Sequence, residues 1–377
     1  MIACQRELFD IPDEVVWLAC AQHSPALNSV YAAGLAGLEN KRHPWTLGAP
    51  HYWDNVERVR GLFARLIGAG AEDIAIVPSV SYGISLAAGN LTVGPDRSVV
   101  VLEEQFPSNV YPWRDLTDRE GGSLVTVARP AAGHWTEGVL AAIDRRTAVV
   151  ALPQCHWMDG AMIDLSAVGA AARGVGAALV LDLTQSLGAL PFDLAAVAPD
   201  YIVAGAYKWL LGPYNFGFLY AAPERQSGRP LEQGWVTRAG SDRHHDLTDY
   251  RDEFLPGARR FDVGERGNYI AVPMATAALE QILDWGVPAI AESLRPLVEE
   301  TAERAAALGL RPTPVAGRAP HFLGLRLAEG PPSGLAERLL AERIYVSLRG
   351  DCLRVAPHLY NRPADIERLF AVLKAAL

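Results

Sequence analysis

The chain has 377 residues, half of them hydrophobic, so at about 150 residues per domain two domains around an ample core are expected. Its 34 basic and 43 acidic residues leave a formal charge of −9, with no Lys/Arg-rich block, which argues against nucleic acid or an anionic membrane as the main partner. Four cysteines (Cys4, Cys20, Cys155, Cys352) lack CxxC spacing, so neither a disulfide framework nor a zinc site is expected, and a reducing compartment fits best. The opening MIACQRELFDIPDEVV has acids where a signal peptide needs an apolar stretch, and no run approaches about 18 apolar residues. A cytoplasmic protein without a membrane span is the expectation.

Short β-branched runs predict strands at Ile74–Val77, Val99–Leu102, Ala148–Leu152, Ala178–Leu181, Tyr201–Ala204 and Phe216–Tyr220. Helical patterns fall between several of them, at Val56–Leu66, Tyr82–Ala88 and Leu165–Ala172. Apolar strands alternating with helices predict an α/β fold with a mostly parallel sheet covered on both faces. From about Arg225 to Asp262 the chain is polar and aperiodic, as a functional or interfacial loop would be. A helical pattern then runs from Ala271 through Trp285, is broken by Gly286 and Pro288, and resumes to Leu308. Strands near Leu323–Leu327, Ile344–Leu348 and Leu353–Ala356 and a helix from Ala364 make a smaller α+β piece, which the N-terminal segment is expected to join. The predicted division is a large domain over 20–265 and a small one over 1–19 and 266–377.

The segment ALVLDLTQSLGALPFDLAAVAPDYIVAGAYKWLLGPYNFGFLY carries the chemistry. Asp182 ends one apolar strand and Lys208 follows the next, and in open α/β sheets the carboxyl ends of strands form the ligand crevice. A carboxylate there needs a cationic partner, because an unpaired buried charge is costly. The protonated ring nitrogen of pyridoxal 5'-phosphate is such a partner, and a lysine forms the imine to its aldehyde. A structural ion pair between the two residues, or a solvated loop lysine, would satisfy the same two positions. Gln185, one turn beyond Asp182, is placed to reach the cofactor's phenolate oxygen.

The pattern D-x-x-Q … Y-K-W-L-x-G-P-x-x-x-G-F-L-Y resembles the class V aminotransferase family of fold-type I pyridoxal-phosphate enzymes, its kynureninase-like branch especially. The resemblance runs from Leu18 to Phe370. It implies a large domain on a seven-stranded sheet, a small α/β domain, and a homodimer with shared active sites. It implies that Lys208 is the Schiff-base lysine, that Asp182 keeps the pyridine nitrogen protonated, and that Tyr207 hydrogen-bonds the phosphate. In VPSVSYGISLAAG, Val80 and Ser81 match the phosphate-binding turn, where helix N-terminal N–H groups suit a dianion; a plain serine N-cap would look the same. In EEQFPSNVYPW, Phe106 matches the residue stacked on the pyridine ring. His156 and Trp157 fall where relatives line the cofactor and substrate. GWVTRAG and RRFDVGERGNY resemble interface stretches, which would send Trp235 to the neighbour's substrate pocket and Arg266 and Asn268 toward its phosphate. In RGDCLRVAPHLYN, Arg354 matches the arginine that grips the substrate's α-carboxylate in a bidentate pair. ACAQHSP resembles the family's N-terminal loop over the active site, which would bring Gln22, His23 and Ser24 to the substrate.

For the reaction, the resemblance implies α-proton removal from an amino-acid substrate by Lys208. A desulfurase nucleophile is disfavoured, because Cys352 is two residues from Arg354 and so shares its strand, and Cys155 is outside the family's nucleophile position. Cβ-bond cleavage is the expectation, with transamination next and epimerisation the remaining alternative. A non-catalytic scaffold on this fold would be expected to have lost Lys208, Asp182 or Arg354, and all three are present.

Overall fold

The computed structural model describes residues 1–130 and 134–377. The chain enters through a two-residue strand, β1 (Val16–Trp17). The large sheet follows, from β2 (Ile74–Val77), β3 (Ser98–Leu102), β4 (Ser123–Val127), β5 (Thr147–Pro153), β6 (Ala178–Asp182), β7 (Tyr201–Gly205) and β8 (Gly217–Ala221). In space their order is β2-β8-β7-β6-β5-β3-β4, and all pairs are parallel except those β8 makes with β2 and β7. Six of the seven are buried along their whole length, as continuous apolar runs predict. The seventh, β4, is an edge strand exposed at Ser123 and Thr126, so it lacks the apolar run that marked the others and has no counterpart in the sequence reading.

Alternate residues of these strands feed cores on opposite faces. Ile76, Val100, Val150, Leu181 and Ile202 pack with the helix Asp54–Ile67, whereas Val77, Val101, Val149, Val180 and Val203 pack with the helix Val80–Gly89. Gly83 permits the second contact: a Cβ there would lie 2.7 Å from Val203 Cγ1, so only glycine lets that helix settle on β7. Its N-terminus is thereby set beside the carboxyl ends of the central strands.

Two small sheets complete the fold. One has four antiparallel strands, β9 (Arg311–Pro312), β10 (Leu323–Arg326), β12 (Ser347–Arg349) and β13 (Cys352–Val355), ordered β12-β13-β10-β9. In the other, β11 (Ile344–Tyr345) pairs parallel with β1. The single strand read at Ile344–Leu348 is therefore two, because the chain changes sheets at Val346. A third core, including Leu18, Leu325, Leu353 and Leu369, covers these sheets. The helix Ala271–Trp285 ends at Gly286 and the next spans Val287–Ala307, the break falling where Gly286 and Pro288 predicted it. The first of these packs with Val59 and Phe63 in the core of the large sheet. Among the described residues no helix is long and apolar enough to cross a membrane.

Candidate active site

The carboxyl ends of β6 and β7 open onto a cavity of about 260 Å³, into which Asp182 and Lys208 both project. Lys208 is 7% exposed, with Nζ 5.4 Å from the centre of the Phe106 ring and 5.3 Å from that of Tyr207. Burial lowers its ammonium to about 8; Arg354 adds to the fall and Asp182 opposes it. Burial raises the Asp182 carboxyl, against hydrogen bonds from the Thr184 side chain and from Thr184 N at 3.0 Å. No salt bridge reaches Asp182 among the described residues. Thr184 also accepts from Gly205 N at 3.2 Å, tying β6 to the end of β7.

Phe106 and Trp157 form one wall, edge to face at 5.4 Å. The Trp157 indole donates to the Glu104 carbonyl at 2.7 Å, and Glu104 has the left-handed φ of 55° at this turn. At another wall Ser79, Val80 and Ser81 begin the helix Val80–Gly89, and Ser79 Oγ accepts from Tyr82 N at 3.1 Å. Asn109, a lining residue, accepts at Oδ1 from Trp113 Nε1 at 2.9 Å, and its buried Nδ2 has no partner among the described residues. Gln185 accepts from Trp209 Nε1 at 2.9 Å and donates to the Ala21 carbonyl at 3.0 Å, so one amide N–H remains for a ligand. His23, Tyr207 and Tyr214 cluster at the mouth, their ring centres 4.8–5.6 Å apart. Burial, then Lys208, lowers the imidazole of His23 from 6.5.

Arg354 stands on β13, 2% exposed, behind Trp157. It donates to the Trp157 carbonyl at 2.7 Å and to Ser347 Oγ at 3.3 Å, and its Nε has no partner. Burial, followed by Arg349, brings it down to about 10. Ser347 Oγ in turn donates to Gln22 Oε1 at 3.0 Å, and Ser24 N donates to the Tyr207 carbonyl at 3.2 Å, so the N-terminal loop does lie across this region.

Arg354 and His23 stand beside the cavity and are not among its lining residues, and four further expected positions lie elsewhere. The chain turns back after β5 through an isolated bridge between Cys155 and Met162, which rotates His156 away from the cavity. Its ring is fully buried, stacked on Trp135 at 5.2 Å, and burial lowers it to about 4; its placement as a cofactor ligand is corrected accordingly. Asn268 Oδ1 caps the helix Ala271–Trp285, accepting from Ala271 N at 2.9 Å. Arg266 is buried against Asp262, which is shared with Arg60. Trp235 is half exposed, edge-on to Trp53 at 6.4 Å. Within this chain none of the last three lines the cavity. Conversely, Ser79, Asn109, Thr184 and Tyr214 line it and were not marked by the sequence.

Pyridoxal phosphate fits the residues present on three structural grounds. Asp182 is a buried carboxylate lacking a salt bridge, Asn109 Nδ2 is an orphaned buried donor, and a ten-residue helix opens at Ser79–Ser81. The family profile for aminotransferase class-V matches residues 45–369. The chain belongs to the class V aminotransferase family. As a member it is 28% identical over 317 residues to the uncharacterized aminotransferase YcbU of Bacillus subtilis, covering 83% of this chain and 81% of that one. It is 29% identical over 306 residues to the kynureninase of Deinococcus radiodurans, covering 77% and 71%. Its fold matches that of the cystine C–S lyase C-DES, in a mutant with glycine covalently linked to the PLP cofactor, at a TM-score of 0.88, 17% identity and 98% coverage of both chains. The resemblance seen in the motifs and the fold-type I architecture are thus borne out: this family member is an enzyme of a pyridoxal-phosphate-dependent family.

Proposed function

We propose that this enzyme binds pyridoxal 5'-phosphate covalently through Lys208 and cleaves a bond at Cβ of an amino-acid substrate. The supporting observation is the buried, depressed Lys208 amine beside a buried carboxylate that lacks an ionic partner. Asp182 would hold the ring nitrogen, Phe106 a ring face, Gln185 the phenolate oxygen, and Tyr207, Val80 and Ser81 the phosphate end. When bound, the cofactor supplies an electron sink for the carbanion left at Cα.

The chain's own residues supply the rest. With a value of about 8, Lys208 Nζ gives up and regains a proton near neutral pH, as a general base for the α-proton must. Arg354 takes the α-carboxylate; burial behind Trp157 strengthens that pair by excluding water. Trp157 and Phe106 shield the reacting face, and His23 stands at the mouth beside Tyr207, its imidazole lowered by partial burial and by Lys208. Persulfide transfer is disfavoured because Cys20 and Cys352 are buried and raised to about 12, while burial carries Cys155 higher still.

Kynureninase-like motifs favour Cβ cleavage, and the YcbU relative favours transamination as the second reading. A cytoplasmic homodimer is part of the proposal. It is supported by four unpaired cysteines and by Tyr31, Leu35 and Leu38, which are exposed along one face of the helix Asn28–Arg42. So is the division into 20–265 and 1–19 with 266–377, the helix Ala271–Trp285 reaching back onto the larger part. The test is the visible spectrum of the purified protein during addition of an amino-acid panel, with keto acids assayed. A visible band, and loss of turnover in Lys208→Ala, supports the reading; a protein that stays colourless with added cofactor overturns it.

A further inference from the structure

Arg349 is a basic residue at this site with no assigned task. It lies on β12, and the register pairs Arg349 with Cys352 and Ser347 with Arg354 across the antiparallel ladder. Side chains two apart on a strand share a face, so Ser347, Arg349 and Arg354 emerge from the same face of the strand pair. Arg349 and Arg354 are then diagonal neighbours, about 7–8 Å apart at their backbones. The link between them is polar: Arg354 donates to Ser347 Oγ at 3.3 Å, and both Ser347 Oγ, at 3.0 Å, and Arg349 Nη2, at 3.4 Å, donate to Gln22 Oε1.

No carboxylate neutralises either guanidinium among the described residues. Nearby arginines differ: Arg326 pairs with Asp351 at 2.9 Å and Arg343 with Glu14 at 2.7 Å. Arg349 otherwise donates only to the carbonyl of Leu348, at 2.9 Å. Its charge disfavours the protonated forms of Arg354 and, to a smaller extent, of Lys208, which lines the cavity. Like charges placed as cross-strand neighbours repel, so the arrangement costs stability until an anion arrives. One α-carboxylate, held by the deeper Arg354, neutralises one of them. The second, partly exposed guanidinium is left without a counter-charge among the described residues.

We infer that Arg349 is a second anion receptor of the active site, and that the preferred substrates are amino acids with a negatively charged side chain. The inference rests on the proposed function above, in which Arg354 holds the α-carboxylate. A short acidic side chain, such as a carboxylate or sulfinate, then lies between the two arginines, with Gln22 and Ser347 as polar filling.

The experiment is a titration of the cofactor-loaded enzyme, followed by the absorbance of the bound cofactor, with L-alanine, L-aspartate, L-glutamate and L-cysteine sulfinate. An acidic member of the panel should bind at least about tenfold more tightly than alanine, as expected for one charge-assisted contact. Arg349→Gln should weaken that ligand about tenfold more than it weakens alanine, and Arg349→Lys should restore part of the difference. Equal weakening across the panel would assign Arg349 to the α-carboxylate and overturn the inference, while leaving the proposed function intact. A wild-type enzyme that responds to alanine as readily as to every acid overturns it too, without recourse to a variant. A loaded enzyme that responds to no amino acid removes the underlying function and this inference with it.

Discussion

The drop in Lys208 from 10.5 to about 8 is worth roughly 3 kcal/mol in favour of the neutral amine. At pH 7 about one Lys208 in ten is then unprotonated, against fewer than about one in a thousand for an ordinary lysine. The folded-state value lies below the unfolded one, so protonation is disfavoured in the folded protein and the reactive amine accumulates as pH rises through about 8. Cofactor-free protein mixed with pyridoxal phosphate between about pH 6 and about pH 10 should develop its visible band at a pH-dependent rate. Normalised to the same reaction of Nα-acetyl-lysine, which corrects for titration of the aldehyde itself, the advantage of Lys208 should be largest and level at about pH 7 and below, and fall as pH rises through about 8. It should vanish once both amines are neutral. Arg354→Gln removes a neighbouring cation and should move the inflection to higher pH. A rate ratio that stays flat from neutral to alkaline pH would show Lys208 to be solvated, and the argument from burial would be refuted.

Asp182→Asn removes the only carboxylate that lines the cavity among the described residues and should lower kcat by at least about 100-fold, measured as turnover at equal cofactor content. Cys352→Ala should keep turnover within about twofold, because burial raises that thiol to about 12; loss of turnover with an unchanged spectrum would contradict its inert role. Asp262→Asn strips the shared counter-charge from the buried Arg60 and Arg266 and should cost about 3–5 kcal/mol in denaturant unfolding. A loss below about 1 kcal/mol would mean that water reaches those guanidiniums.

Much of the site was legible because the key residues sit at the ends of apolar runs. Asp182 closes β6 and Lys208 follows β7, positions that a buried parallel sheet marks by composition alone. Phe106 and Trp157 were marked by the family resemblance, and they fall in the turns after β3 and β5. Thr184 left no such trace: a threonine after a strand is unremarkable until its bonds to Asp182 and Gly205 are seen. His156 was marked only by the resemblance; strand alternation ends at Pro153, and the bridge from Cys155 to Met162 sets the direction of side chains after it. The chain Arg354–Ser347–Gln22–Arg349 joins residues about three hundred positions apart, which no local pattern encodes. Edge strand β4 escaped because one solvated face replaces an apolar run with mixed polarity.

Lys208 sits on a connection between two strands that are themselves hydrogen-bonded neighbours, β7 and β8. The connection is laced back onto its own stem: Ala206 N donates to the Phe216 carbonyl at 2.9 Å and Gly212 N to the Ala206 carbonyl at 2.8 Å. Leu211 and Asn215 hold left-handed φ values of 53° and 57° within it. A crossover helix would let this lysine drift with a separate element, but a closed hairpin fixes it to the same ladder that carries Asp182 one strand away. On the roles proposed for these two residues, cofactor capture is docking into a finished seat, and the geometry between amine and carboxylate is inherited from strand spacing rather than assembled around a guest.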